Sequence, residues 1–338
     1  MSLPQSALDF MAAHIERARA QRPKMRVVFP ESDDPRVVAA AERLKRDGMV
    51  EPILIGPKPA SPPAGVECID PETSPNVKKY AAIFFERRRS RGVTEVESRM
   101  MALKPLYFAK LMVAAGDADG CVGGASTTSA DAVRAGIRCI GVQPAVRIVS
   151  SVFFLCVRNQ SFGHKGVLAL SDCAINIEPN PTQLADIAIA TAQSVRTLLR
   201  TEPIVALLSF STKGSGKHKA SEKVVEALRI VRARAPELHV DGELQADAAL
   251  VPAVGRSKAP GSTVAGNANT LIFPDLASAN IACKMVERLG DAATIGPFLQ
   301  GLARAGNDPS RGCPVEDIYN VGVITAIQAE AFLEKRGQ

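Results

Sequence analysis

Short apolar runs alternate along the whole chain with longer stretches whose apolar positions recur every three or four residues. The pattern predicts a leading helix over 7–20, a strand over 25–29, a helix over 35–47 and a strand over 52–55 that stops at Gly56. A Pro-rich loop (57–63) precedes a strand over 66–69, helices over 77–91, 94–101 and 105–115, a strand over 120–122 and a helix over 130–135. The theme repeats with strands over 146–155 and 167–171, a helix over 182–199, a buried strand over 204–208 and a helix over 221–234. Such βα repetition favours parallel sheets covered by helices, an α/β fold class. A chain of 338 residues is long enough for two domains with separate cores, and a second set of βα units starts near residue 146.

Composition narrows the picture. Hydrophobic residues make up 46% and charged residues 22%, as in a soluble globular protein. There is no long apolar run to span a membrane and no signal-peptide order at the N-terminus, so a cytoplasmic protein without a membrane partner is expected. The seven cysteines (68, 121, 139, 156, 173, 283, 313) are scattered and never form Cys-x-x-Cys, which reads as buried thiols in a reducing compartment. The four histidines lie far apart without Cys, Asp or Glu at ligand spacing, so no metal site is expected. A formal charge of +6 suits nucleic acid or a phosphorylated small molecule. With no Trp and only three Tyr, the basic positions lack the aromatics that stack bases, so no nucleic-acid partner is expected. The basic cluster 87–91 reads as the solvated last turn of a helix.

Three segments carry candidate chemistry. Residues 123–131 follow a strand with two glycines, then Ser126, Thr127, Thr128 and Ser129 in a row. Amides and hydroxyls so placed can surround an oxyanion, with Arg134 one turn further on, although Thr128 and Asp131 also fit a purely structural helix cap. Residues 209–219 form a second Gly- and Lys-bearing loop after a buried strand. It is neither a P-loop nor a dinucleotide fingerprint: no Gly stands five residues before Gly216, His218 follows Lys217, and Lys219 occupies the third Gly position. A ligand contact and a flexible basic rim both remain open there. Residues 307–317 place Ser310, Arg311 and Asp317 around one strand-to-helix turn, Gly312 allowing close approach and Pro314 opening a helix with Val315, Ile318, Val321, Ile324 and Ile327 at helical spacing. That set suits acyl transfer, while a capped helix start with a solvated Arg311 explains the same residues.

Taken in order, the blocks 26–34, 123–131 with Arg134, 150–154, 209–215, 272–276 and 310–313 resemble those of phosphate acetyltransferases, over residues 10 to 330. The resemblance implies two three-layer α/β/α domains with mostly parallel sheets and an active-site cleft between them. The first would comprise 1–146 plus 299–338, the second 147–298. It implies a homodimer that interconverts acetyl-CoA plus phosphate and acetyl phosphate plus CoA without a cofactor, CoA being a substrate. Ser310, Arg311 and Asp317 match catalytic positions. Arg88 and Arg134 match arginines that engage CoA phosphates, and Lys258 and Lys284 lie in matching segments. Ser126 stands where many members carry His, Ala135 where Pro is common, and Ala305-Gly306 and Pro309 replace a more usual Pro-Val and Leu.

In the direction that makes acetyl-CoA, the CoA thiol loses a proton to Asp317 and attacks acetyl phosphate directly in a ternary complex. Arg311 stabilises carbonyl and phosphate charge, and Ser310 bonds the sulfur. An ordinary thiol and an ordinary Asp differ by roughly 4.6 pK units, so full proton transfer is uphill by about 6 kcal/mol. The helix N-terminus and Arg311 are expected to depress Asp317 further. Alternatives are a butyryl-type acyltransferase, a non-catalytic acyl-CoA-sensing module and a decarboxylating-dehydrogenase relative, the last disfavoured by the missing metal carboxylates and dinucleotide loop.

Overall fold

The computed structural model of the protein describes residues 2–144, 146–309 and 311–334. In chain order the elements are α1 (Gln5–Ala20), β1 (Arg26–Phe29), α2 (Pro35–Arg46), β2 (Glu51–Ile55), β3 (Glu67–Ile69), α3 (Val77–Arg88), α4 (Glu95–Ala102), α5 (Pro105–Ala115), β4 (Gly120–Val122), α6 (Ser129–Cys139), β5 (Ser150–Cys156) and β6 (Val167–Ser171). They continue with α7 (Pro181–Leu198), β7 (Ile204–Leu208), α8 (Lys219–Arg234), β8 (His239–Leu244), α9 (Ala246–Leu250), α10 (Pro252–Lys258), β9 (Thr270–Ile272), α11 (Leu276–Leu289), β10 (Ala293–Gln300), β11 (Ala305–Asn307) and α12 (Val315–Glu334). Two compact units divide the chain, one of residues 13–144 and 302–338, the other of 1–12 and 145–301.

In the first unit the sheet has the order β11-β4-β1-β2-β3, with every pair parallel. Val27, Val28 and Phe29 are fully buried, the continuous apolar run of a parallel strand covered on both faces. Helices α2 and α12 pack together, while α3, α5 and α6 pack with one another. Asp34 accepts from the Arg36 amide and Pro35 opens α2, a cap and a helix-ready φ supplied side by side. A Cβ on Gly120 would stand 2.6 Å from Thr325 Cγ2, so a bare backbone lets α12 lie close on β4. Asn307 Nδ2 donates to Thr325 Oγ1 at 2.8 Å and Gln328 Oε1 at 2.6 Å, pinning the end of β11 to α12. The start of α12 is fixed from α2, where Arg43 pairs with Glu316 and sits 4.1 Å from the Tyr319 ring centroid.

The second unit has a mixed six-stranded sheet, β10-β5-β6-β9-β7-β8, antiparallel at β10-β5 and β5-β6 and parallel elsewhere. Strand alternation splits its core in two. Val205 and Leu207 face Leu184, Ile187, Val224 and Val231 of α7 and α8, whereas Ala206 and Leu208 join Ala249, Ala279 and Cys283 of α9 and α11. The result is three layers. Residues 1–12 belong here, where the Phe10 ring lies 5.1 Å from Phe154 and Ser6 Oγ donates to the Val157 carbonyl at 2.8 Å. The sequence reading had placed them with the first domain, but helix periodicity does not say which sheet a helix covers. No helix among the described residues is long and apolar enough to cross a membrane.

Candidate functional site

The turn between β11 and α12 carries exposed charged groups. Ser310 lies outside the described residues. Arg311 is exposed and has no hydrogen bond or ion pair among the described residues. Gly312 takes φ +75°, a left-handed turn that suits glycine, and its N–H reaches the Ala125 carbonyl at 3.4 Å. Asp317 N–H donates to the Pro314 carbonyl at 3.1 Å, which sets Asp317 in the first turn of α12. The expected depression of Asp317 is not found. Partial desolvation and the neighbouring Glu316 push its carboxyl above the ordinary range, and Arg311 plays no part. The shift narrows the gap to a thiol.

The Gly-Ser-Thr loop holds an anion that the chain itself supplies. Glu31, two residues past β1, is buried. Its carboxylate accepts from the amides of Gly124 (3.1 Å), Ala125 (2.9 Å), Ser126 (2.9 Å) and Thr127 (3.1 Å) and from the hydroxyls of Ser126 (3.0 Å) and Thr127 (2.7 Å). Burial opposes its charge, yet the bonds from Ser126, Thr127 and Gly124 outweigh that and hold it below the usual carboxylate range. The anion in this nest is a side chain, because an amide nest requires negative charge and does not specify its source. Thr128 is the cap of α6, accepting from the Asp131 amide and donating to its carboxylate at 2.7 Å. Exposed Arg134 pairs with Asp131.

Two further residues tie this loop to the 311–317 turn, and the sequence reading assigned neither a role. Arg36 donates to the Cys313 carbonyl at 2.8 Å and the Ala125 carbonyl at 3.0 Å while paired with Asp34 at 2.7 Å. Asp308 is buried, with Oδ1 unpartnered and the Ser129 hydroxyl bonded to its carboxyl. A Cβ on Gly124, at φ +141°, would fall 1.4 Å from that oxygen, so only glycine fits. Desolvation pushes Asp308 up to about 6, against the bond from Ser129 and the charge of buried Lys110. Carboxylates in the 26–34 block and next to the Ser-Arg pair were the available signal.

The other expected residues are spread out. Arg88 ends α3, half-buried, with Nε unpartnered. In the second unit, Lys258 is bound to Asp247 at 2.7 Å and Gln245 at 3.1 Å. Exposed Lys284 lines a small depression of about 150 Å³ with Phe153, Cys173, Cys283 and Thr294. In the 209–219 loop, Gly214 N–H and Ser211 Oγ reach buried Glu243 at 2.7 and 2.8 Å, and Lys213 bonds Asp241. Burial raises all seven cysteine thiols, so none is poised as a nucleophile. Among the described residues no group of three His, Cys, Asp or Glu could hold a metal.

Residues 9–326 match the model of the family described as Phosphate acetyl/butaryl transferase. The chain belongs to that family. Similarity to single members of the phosphate acetyl/butaryl transferase family runs almost end to end. A phosphate acetyltransferase of Clostridium acetobutylicum is 42% identical over 92% of this chain and 96% of its own. One from Thermoanaerobacterium thermosaccharolyticum is 43% identical over 96% and 100%. The solved phosphotransacetylase of Streptococcus pyogenes superposes with a TM-score of 0.89 at 40% identity, covering 98% of this chain and all of that one. In this family member the 311–317 turn presents Arg311, which has no hydrogen bond or ion pair among the described residues, and the raised carboxyl of Asp317, while Glu316 is tied to Arg43.

Proposed function

We propose that the protein interconverts acetyl-CoA plus phosphate and acetyl phosphate plus CoA by direct attack of the CoA thiolate on the acyl phosphate in a ternary complex. The observation that carries this reading is an uncommitted guanidinium, Arg311, on the same turn as a carboxyl raised by desolvation, Asp317. A raised Asp317 takes the thiol proton more readily than an ordinary Asp, and proton transfer concerted with attack covers the remaining gap. Arg311 offers a planar fork to the carbonyl and phosphoryl oxygens as they gain charge. Ser310 serves as hydrogen-bond partner of the sulfur. The raised cysteine thiols favour direct transfer over an acyl-cysteine relay. Arg88, whose Nε is unpartnered, and Arg134 are proposed contacts for CoA phosphates, as are Lys258 and Lys284, Lys258 on breaking its bonds to Asp247.

The acetyl group is the proposed substrate because the similar proteins named above are phosphate acetyltransferases or a phosphotransacetylase. Release of CoA from acetyl-CoA should require phosphate and no added metal. Arg311→Lys should lower turnover, since a point charge cannot reproduce a bidentate fork. Faster turnover of butyryl-CoA than acetyl-CoA would reassign the substrate. A homodimer is proposed on a stripe of exposed apolar residues four apart on α11, Ile281, Met285 and Leu289, which light scattering would test. The free cysteines support a cytoplasmic location.

A further inference from the structure

We infer that Glu31 is a positioning residue for the transfer reaction: its carboxylate is a built-in counter-anion that sets the Gly123–Thr127 loop, and through it the Arg311 turn. The inference rests on the proposed role of Arg311. Four consecutive amides and two hydroxyls converge on this one side chain. Consecutive amides pointing at one spot repel one another unless a negative charge occupies it, so the loop's conformation depends on Glu31. The loop then presents the Ala125 carbonyl, which accepts from Gly312 N–H at 3.4 Å and from Arg36 at 3.0 Å, and Arg36 also grips the Cys313 carbonyl at 2.8 Å. The first and third peptide units after Arg311 are therefore held, through Gly312 N–H directly and through the Cys313 carbonyl by way of Arg36, by a carbonyl that Glu31 fixes. No contact between Glu31 and a reactant is needed.

A bound anion held only by hydrogen bonds can be replaced by a small free one, which a merely space-filling residue cannot. In Glu31→Ala, kcat should fall about 100-fold, the usual scale for a displacement of about 1 Å at a reacting group. The KM for CoA should change little. Sodium formate, but not sodium chloride at equal ionic strength, should restore part of the lost kcat relative to wild type in the same salt. Unchanged turnover, or a loss that formate does not relieve, overturns the inference. If Glu31→Ala does not fold, the double variant Ser126→Ala/Thr127→Val leaves all four amides on Glu31 and removes only the hydroxyl donors. It should lose about tenfold in kcat, and wild-type turnover would overturn the inference. Arg311→Ala is assayed in parallel. Full activity there sinks the proposed function itself, whereas an inactive Arg311→Ala beside a fully active Glu31→Ala sinks only the role of Glu31.

Discussion

Loops 123–129 and 209–219 look alike in sequence: each follows a buried parallel strand, is rich in Gly and hydroxyl residues, and precedes a helix. Both close on a buried carboxylate from elsewhere in their own unit. The first commits four amides and two hydroxyls to Glu31 and passes that order to a turn with a free guanidinium. The second commits one amide and one hydroxyl to Glu243, and its Lys213 side chain, on a residue at φ +51°, is tied to Asp241. Donor-rich loops therefore find an anion wherever one is available, and richness in donors does not mark a site.

The sharpest break between the regions is kinetic. Asp317→Asn should lower kcat about 1000-fold in a coupled CoA-release assay. It should also abolish an acid limb, because activity requires the ionised base and is lost as pH falls through the raised pKa of Asp317. Glu243→Ala should do the opposite. Stranding the Gly214 amide and the Ser211 hydroxyl should cost about 3 kcal/mol in denaturant unfolding, with turnover per folded molecule kept.

A smaller effect tests the carboxyl beside the first loop. A pKa raised from 3.8 to about 6 means that the fold binds the Asp308 proton more tightly than the unfolded chain does. Its stability is fully present below the unfolded value and is lost as pH rises through about 6. Asp308→Asn keeps the neutral shape, so it should be more stable than wild type by on the order of 2 kcal/mol at pH 8 and no more stable at pH 4. Thermal unfolding at the two pH values decides it. Smallest of all, Thr128→Ala should cost about 1 kcal/mol, because it removes only a helix cap. A larger loss of turnover than of stability would return that hydroxyl to the site.

The βα rhythm was readable as far as α8, where apolar runs are continuous and caps such as Asn180 with Pro181 stand at helix starts. Beyond it only the helix opening at Pro314 was read, which is α12, and the reason the rest was missed is composition. Strand β8, His-Val-Asp-Gly-Glu-Leu, buries two acids and a glycine that periodicity scores as loop, and they are tolerable inside because Asp241 has Lys213, Arg232 and Ser262 while Glu243 has the second loop. Strand β11 is only Ala-Gly-Asn. Arg311 and Asp317 were legible as residue types on one turn. The Glu31 cradle was not, since it joins positions nearly a hundred residues apart, and neither was the sign of the Asp317 shift, which desolvation decides and spacing does not encode.

Because the unit of 13–144 is completed only by 302–338, its sheet lacks β11, and β4 lacks its α12 cover, until residues 302–338 have been made. A nascent chain emerging from the ribosome would expose the apolar face around Val28 and Leu44 while residues 145–301 are already able to condense. Chaperone dependence in the cell should accordingly concentrate on the unit whose sheet waits for residues 302–338.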